Sequence, residues 1–264
     1  MEHALPNRYS GFKPLSALLF CGFLVFFLWC LQGAGFSLRE LWEGIPNMGQ
    51  LLDEMIPPAT DRFWPMLGSL WTTFQMAVVG TVLGVLFSIP LAIMAAKNTT
   101  PHAVLYNLSR AFISLFRTVP DIAWALFFVA SVGLGSFAGT LALVIDVMGF
   151  CGRFFAEALE ETDPGPNEAL AAIGAHPLDR VFCCIVPDAM PGLINTSLFS
   201  LEKAVRSSVI LGLVGAGGIG VELAVSMEMF RYDQAAMIVV MIFVLVLGIE
   251  QFSTWMRQRI MTSR

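Results

Sequence analysis

Two arginines, a serine and an aspartate recur at helical spacing within an apolar part of the chain. They stand at positions i, i+4, i+7 and i+11: Arg110, Ser114, Arg117 and Asp121. An α-helix would place all four on one stripe. Because a planar guanidinium matches the geometry of phosphate-like oxyanions, the stripe predicts a path along which an anion passes. Arg117 is its best candidate ligand.

A purely structural interpretation of these charges stays open. Asp121 follows Arg117 by about one helical turn and is expected to be its resting partner. Further along the chain, Glu202 and Arg206 are i, i+4 partners, with Lys203 beside them. Charges inside a membrane either pair with one another or face a water-filled cavity. Glu202 and Arg206 therefore either fix helix packing or belong to the same anion path.

A glycine run follows residue 214. Its members are Gly215, Gly217, Gly218 and Gly220, and three of them match the pattern G-x-G-x-x-G. That fingerprint indicates dinucleotide binding only within a βαβ unit that has an acidic residue about 20 positions further on. The sequence has neither, so we predict a tight, periplasm-facing turn at which helices or a docked partner approach the backbone closely.

The chain shows no constellation for catalysis or metal binding. Its five cysteines form no CxxC pair and its three histidines are scattered, so no metal site is predicted. No nucleophile, base and orienting group stand at plausible spacing. The Walker pattern G-x-x-x-x-G-K-[ST] is also absent, so the chain is predicted to be no enzyme and to bind no cofactor itself.

The composition is that of a membrane protein. Hydrophobic residues make up 56% of the chain and charged residues 13%, with a mean hydropathy of +0.73, whereas soluble domains carry about 25% charged residues. A helix needs roughly 20 residues to cross a bilayer. Six apolar blocks are close to this length or longer: 15–31, 67–96, 104–132, 137–155, 193–214 and 235–255. They lack the alternation of a membrane barrel, so we predict an all-α polytopic protein with about six transmembrane helices. The first block has no small-x-small cleavage site and is expected to be a retained helix.

The positions of basic residues predict the orientation. Lys97, Arg153 and Arg180 border connections on one side of the predicted bundle, and the chain ends are also basic. The long connection at 39–62 is acidic instead. By the positive-inside rule both termini are cytoplasmic, as is the connection at 160–190. The net charge of -5 indicates no partner, and nucleic acid is not a plausible ligand.

The connection at 160–190 carries signals of two short helices. Proline and glycine at 164–166 end the preceding helix, and Asn167 is expected to cap a new helix with Glu168 in its first turn. Gly174 can end that helix in the left-handed conformation, and Pro177 can open a second one. The result is either a compact knob that a partner grips or an interfacial connection without a partner.

This connection resembles the EAA loop of importer permeases, whose pattern is E-A-A, three residues, G, nine residues, I-x-L-P. The matching residues are Glu168, Ala169, Gly174 and Pro187. The departures are Leu170 for the second alanine, Cys184 for the isoleucine and Val186 for the leucine. In that family the loop forms coupling helices that dock into a groove of a cytoplasmic ATPase. The resemblance therefore implies the same role for this loop.

Most of residues 65–260 is similar to permeases of the phosphonate transporter family. The clearest features are Ser-Ile-Pro at 88–90, Phe-Ala-Glu-Ala at 155–158, and Val-Arg-Ser-Ser at 205–208 leading into the glycine run. The resemblance implies import of phosphonate, phosphite or a related small phosphorus oxyanion. Asp121 and Asp146 stand where that family commonly has other residues, which leaves the substrate open within this class.

The resemblance implies a type I ABC importer permease of the bacterial inner membrane. One transmembrane domain would cover 1–264, with an N-terminal helix at 14–32, a core at 66–260 and the coupling loop at 160–190. Its implied partners are a second copy of itself, two ATPase subunits that hold ATP and Mg, and a periplasmic binding protein. The alternative is a self-sufficient carrier or channel for a small anion, in which buried acids such as Asp146 and Glu250 serve as ion sites.

Overall fold

The computed structural model describes residues 14–261, and all regular structure in that range is helical. These residues fall into two compact units that divide after Asp53. In the first unit, α1 (Pro14–Gly33) is long and apolar enough to cross a membrane, as predicted for 14–32. The acidic connection contains a second, amphipathic helix, α2 (Leu38–Met55), which was not predicted. Ser37 Oγ accepts a hydrogen bond from the Glu40 amide at the start of α2.

The second unit contains nine α-helices in the described chain. They are α3 (Phe63–Ala95), α4 (Ala103–Thr118), α5 (Asp121–Val132), α6 (Ser136–Glu160), α7 (Pro164–Ala172), α8 (Pro177–Arg180), α9 (Val186–Leu213), α10 (Ile219–Glu228) and α11 (Tyr232–Met261). A π-helical segment, Val181–Ile185, joins α8 to α9. Five stretches of the described chain are apolar and long enough to span a membrane, or six if α4 and α5 count as one broken span.

Helix α6 is the centre of this unit and packs closely on α3. Gly80 and Gly84 of α3 lie against Leu143 and Val147 of α6, and a Cβ atom on Gly84 would stand 2.5 Å from Val147 Cβ. Small residues at such a crossing let two helix backbones approach, which is a common basis of helix packing in membranes. Most of one face of α6 is buried as a result, including Leu143, Val147 and Phe155.

The third apolar block is not the single kinked helix that the sequence predicted; it consists of two helices. Helix α4 ends at Thr118, and α5 begins at Asp121 after a bend of 89°. Pro120 lacks an N–H and disfavours helical backbone at the residue before it. Val119 accordingly adopts φ -80° and ψ 123°. The predicted stripe is therefore broken between Arg117 and Asp121.

The two short helices of the connection are present, but the first begins earlier than predicted. Asp163, not Asn167, caps α7, since its Oδ1 accepts a hydrogen bond from the Gly165 amide at 3.0 Å. Pro164 occupies the first helical position, where its fixed φ suits a helix start. Gly174 has φ +83°, and Pro177 opens α8.

Candidate functional site

The two short helices form an exposed knob, which we define as residues 164–182. Gly174 closes α7 through its amide, which donates to the Ala171 carbonyl at 3.0 Å, while the Ala175 amide donates to Leu170 at 3.1 Å. Glu168 and Ala169 are exposed on the knob. Three large apolar side chains are exposed as well: Ile173 at 79%, Leu178 at 58% and Phe182 at 60%. An exposed apolar patch of this kind is typical of a protein interaction site.

Residues of the EAA pattern that are distant in sequence meet beneath the knob. Leu170 of α7, Cys184 of the π-helical segment and Pro187 in the first turn of α9 line one cavity of about 430 Å³. Asp163, Pro166, Cys183 and Asp188 complete its wall. The spacing of the pattern thus corresponds to one corner of the chain, in which α7 lies against the π-helical segment that leads into α9.

A cluster of hydrogen bonds connects three helices next to the start of the knob. Glu160, the last residue of α6, accepts hydrogen bonds at 2.9 Å from both Arg110 Nη2 and the Lys97 amide. Arg110 Nε also donates to the carbonyl of Ala95, the last residue of α3, at 2.7 Å. Asn98 Nδ2 donates to the Leu159 carbonyl at 2.6 Å. The ends of α3, α4 and α6 are therefore held together where the knob begins.

Sequence reasoning missed Glu160 as a partner of Arg110. The two residues are 50 positions apart, and no helical spacing relates them. The sequence offered one signal of such a partner, because an arginine inside a membrane is expected to pair with a carboxylate. Arg110, predicted only as a path residue, thus also has a structural role.

Three residues of the predicted stripe line a common cavity. Arg110, Ser114 and Arg117 of α4 surround a space of about 310 Å³ together with Ile113, Thr118 and Arg153, the last from α6. Arg153 donates from Nε to Glu157 at 2.7 Å. The Arg117 guanidinium lies 5.9 Å from the centre of the Phe154 ring. Within residues 14–261 Arg117 has no carboxylate partner.

The expected pairing of Arg117 with Asp121 is wrong. Asp121 is the first residue of α5, beyond the bend, and its Oδ1 accepts a hydrogen bond from the Ile122 amide at 3.0 Å. The extended backbone at Val119 removes the helical geometry that would have brought the two side chains together.

The pairing of Glu202 with Arg206 is wrong as well. Glu202 is buried and accepts a hydrogen bond from Arg257 Nη2 of α11. Arg206 is exposed on α9 and has no ion pair within the described chain. A guanidinium from a neighbouring helix reaches Glu202 inside the bundle, whereas Arg206 points to the outer face of α9.

One of the two remaining acids is also neutralised. Lys203 Nζ donates to both carboxylate oxygens of Asp146, at 2.7 and 2.9 Å, and so joins α9 to α6. Lys203 Nζ also lies 5.2 Å from the centre of the Phe150 ring. Glu250, by contrast, is exposed on α11.

The glycine run forms a turn that is packed on its own chain. Gly215, Gly217 and Gly218 have φ values of +87°, +83° and +76°. The Gly135 amide donates to the Gly215 carbonyl at 3.1 Å, and Thr73 Oγ1 accepts from the amide after Gly218 at 2.7 Å. Side chains would not fit here, because a Cβ atom on Gly218 would lie 2.4 Å from Thr73 Oγ1. A Cβ on Gly220 would lie 2.0 Å from the Val209 carbonyl oxygen.

Known proteins are similar to this chain in sequence. The chain is 34% identical over 257 residues to the phosphite transport system permease protein PtxC of Stutzerimonas stutzeri, which covers 97% of this chain and 94% of that protein. It is 41% identical over 216 residues to the phosphate-import permease protein PhnE of Mycolicibacterium smegmatis. That match covers 81% of this chain, which spans 40% of the length of the mycobacterial protein.

Solved structures share the fold. A chain of the inward-facing MetNI methionine ABC transporter is similar with a TM-score of 0.68 and 26% identity, over 76% of this chain and 98% of that one. Residues 88–262 match the family model of the binding-protein-dependent transport system inner membrane component. The chain therefore belongs to this family of transport permeases.

Proposed function

We propose that the chain is the permease subunit of an ABC importer for phosphonate, phosphite or a related small phosphorus oxyanion. ATP hydrolysis would take place in a partner chain. The observation that carries the proposal is the exposed apolar knob at the end of a bundle of membrane-spanning helices. The names of the relatives support the phosphorus oxyanion as substrate.

The knob is the proposed contact with the ATPase subunits, two in the assembled importer. Ile173, Leu178 and Phe182 would enter an apolar groove, and Glu168 would meet a polar rim. The cluster of Glu160 with Arg110 then transmits movement of the knob to α3, α4 and α6 as one rigid body. The glycine turn would face the periplasm, where the substrate-binding protein docks.

A second copy of the chain would cover the outer face of α9. Phe199, Arg206, Ile210 and Leu213 lie on one exposed stripe of that helix. An arginine facing hydrocarbon is costly, and this cost falls if the side chain faces water or a partner. A two-fold axis beside α9 would place two Arg206 side chains along a shared aqueous path.

The proposed anion path uses residues whose polar groups have no ion-pair partner within the described chain. Ser114 and Arg117 line the cavity beside α4, and Arg206 lies on the outer face of α9. Arg110 and Glu202 have partners within the chain, so they support the path by holding helices in place. Asp121 would do so in the first turn of α5, where a carboxylate interacts favourably with the helix dipole.

The orientation predicts opposite labelling of two exposed positions. Single cysteines at Asp53 and Asp179, in a background without the native cysteines, should react from opposite sides of the membrane. In intact cells an impermeant maleimide should label position 53 and leave position 179 unlabelled until the membrane is opened. Labelling of position 179 in intact cells would show an inverted orientation and would rule out docking of a cytoplasmic ATPase on the knob.

A self-sufficient carrier is the second candidate, and two observations weigh against it. Asp146, which would bind a coupling ion, is instead held by Lys203. A carrier also has no need of the exposed knob at 164–182.

The function is tested by reconstituting the chain with its ATPase and binding protein in proteoliposomes. Phosphite, phosphate or methylphosphonate should stimulate ATP hydrolysis and ATP-dependent uptake, and sulfate and methionine serve as controls. Uptake that follows an ion gradient without ATP would favour the carrier. Stimulation by methionine alone would refute the phosphorus oxyanion as substrate.

A further inference from the structure

The cavity between α4 and α6 contains more positive charge than its neighbours neutralise. Its wall carries three guanidinium groups, from Arg110, Arg117 and Arg153. Two carboxylates pair with them, Glu160 with Arg110 and Glu157 with Arg153. Arg117 has no carboxylate partner among the described residues, so one positive charge is left without a counterion.

Arg117 and Arg153 lie within about one helical turn of each other along the bundle, since Gly149, which contacts Arg117, precedes Arg153 by four residues. Arg110 is held at the level of Glu160, the last residue of α6. Arg117 follows Arg110 by seven residues along α4, and Arg153 precedes Glu160 by seven residues in α6, which is about 10 Å in each case at 1.5 Å per residue. The two helices run in opposite directions here, so both arginines lie further along the bundle than Glu160, and both are exposed at the cavity.

Glycines of α6 bring the two helices close together at this depth. A Cβ atom on Gly149 would lie 3.1 Å from the Arg117 amide nitrogen, and one on Gly152 would lie 3.2 Å from Ile113 Cγ1. The close approach places Arg117 and Arg153 in the wall of one space of about 310 Å³. At about 30 Å³ per water molecule, this space admits a small hydrated oxyanion.

We propose that this cavity is a binding site for a phosphate-type oxyanion, with Arg117 and Arg153 as its cationic ligands. This inference rests on the proposed function and adds a residue, Arg153, that the predicted stripe did not contain. Two guanidinium groups offer several parallel N–H donors, and charge-assisted bonds of this kind are stronger than neutral ones. The bound anion supplies the missing counterion.

A hydroxyl in the wall favours an anion that still carries a proton. Thr118 Oγ1 donates its hydrogen to the Ser114 carbonyl at 2.7 Å, so toward the cavity it acts as an acceptor. Phosphate and phosphonate monoanions have a P–OH group that can donate to this oxygen, whereas sulfate has no proton at neutral pH. The site therefore discriminates against sulfate.

Two sources could supply such a group, a free oxyanion or the phosphate of a lipid headgroup. Headgroups lie at the membrane surface, whereas Arg117 and Arg153 stand about 10 Å further in than Glu160. We therefore assign the site to the free oxyanion, on its way to the cytoplasmic side in the proposed orientation.

The test measures binding of radiolabelled inorganic phosphate to the permease–ATPase complex in nanodiscs of phosphatidylcholine. Arg117→Gln and Arg153→Gln should each weaken phosphate binding about tenfold or more, since each removes a charged hydrogen-bond donor. Arg39→Gln, on exposed α2, is the matched control and should bind phosphate like the unaltered complex. Retention of the ATPase subunit verifies that each variant is folded.

Three results would overturn the proposal. The first is unchanged phosphate affinity in both cavity variants, and the second is sulfate binding as tight as phosphate binding. The third is loss of phosphate binding when phosphatidic acid is added to the nanodiscs, which would assign the site to lipid headgroups. Because the unaltered complex is assayed separately for ATP-dependent uptake, failure of the site is distinguishable from failure of the proposed function.

Discussion

Lys203→Met is expected to lower the free energy of unfolding of the permease by about 2 kcal/mol, between the values for exposed and for buried ion pairs, because this pair is partly buried. The Asp146 side chain is only 15% exposed and accepts two hydrogen bonds from Lys203. Without the ammonium group, the partly buried carboxylate loses both hydrogen bonds and its opposite charge, which costs free energy. Thermal unfolding of the purified protein in detergent would measure the loss.

Removal of the carboxylate instead of the ammonium group should lower the free energy of unfolding by less. Asp146→Leu leaves Lys203 without its carboxylate, but the ammonium group still lies over the Phe150 ring. A cation–π contact of this kind contributes about 0.5–2 kcal/mol. The double variant Lys203→Met with Asp146→Leu should recover most of the stability, because no charge is then left unpaired.

The exposed pair of Arg39 with Glu43 is the control for these variants. Arg39→Gln should change stability by less than about 1 kcal/mol, as is usual for an ion pair at a surface. The interpretation of Lys203 is wrong if Lys203→Met unfolds at the same temperature as the unaltered protein. It is also wrong if the double variant is less stable than either single one.

Gly174→Val is expected to abolish retention of the ATPase subunit on purification and, with it, uptake. The backbone of Gly174 has φ +83°, and apart from Gly174 and its two chain neighbours no heavy atom of residues 14–261 lies within 4 Å of a Cβ placed there. The cost is therefore conformational, about 1–2 kcal/mol or more for a β-branched residue. If the backbone of the knob loses this turn, Ile173 and Leu178 no longer lie on the same exposed surface.

Gly174→Asn is the matched variant, because asparagine tolerates the left-handed conformation better than any β-branched residue. It should retain the ATPase and most of the uptake. If Gly174→Val shows full retention with normal uptake, Gly174 does not shape the docking surface. If both variants lose the ATPase equally, the cost arises from bulk at the interface and not from the turn.

Glu160 and Gly174 illustrate how local and distant effects combine at the proposed coupling site. Gly174 shapes the knob itself, whereas Glu160 joins the start of the knob to α3 and α4. A rigid connection between the docking surface and the spanning helices is what rigid-body switching requires.

Local physical chemistry determined most of the secondary structure. Blocks of apolar residues form spanning helices wherever their backbone groups must be paired within lipid. Gly174 and Pro177 set the turn and the second short helix through their own backbone preferences, which neighbouring helices do not alter. The EAA pattern was readable for the same reason, since its spacing describes one local corner of the chain.

The charge pairs that join two different helices were decided by the tertiary structure alone. Glu202 pairs with a residue 55 positions away and Lys203 with one 57 positions away. Helical spacing predicts neighbours on one helix, but a buried charge pairs with whichever opposite charge the packing of other helices brings to it. Likewise Pro120 indicated a kink, whereas the packing of α4 and α5 against α6 decided a bend of 89°. That bend separated Asp121 from Arg117, and the close contact of α4 with α6 placed Arg153 beside Arg117 instead.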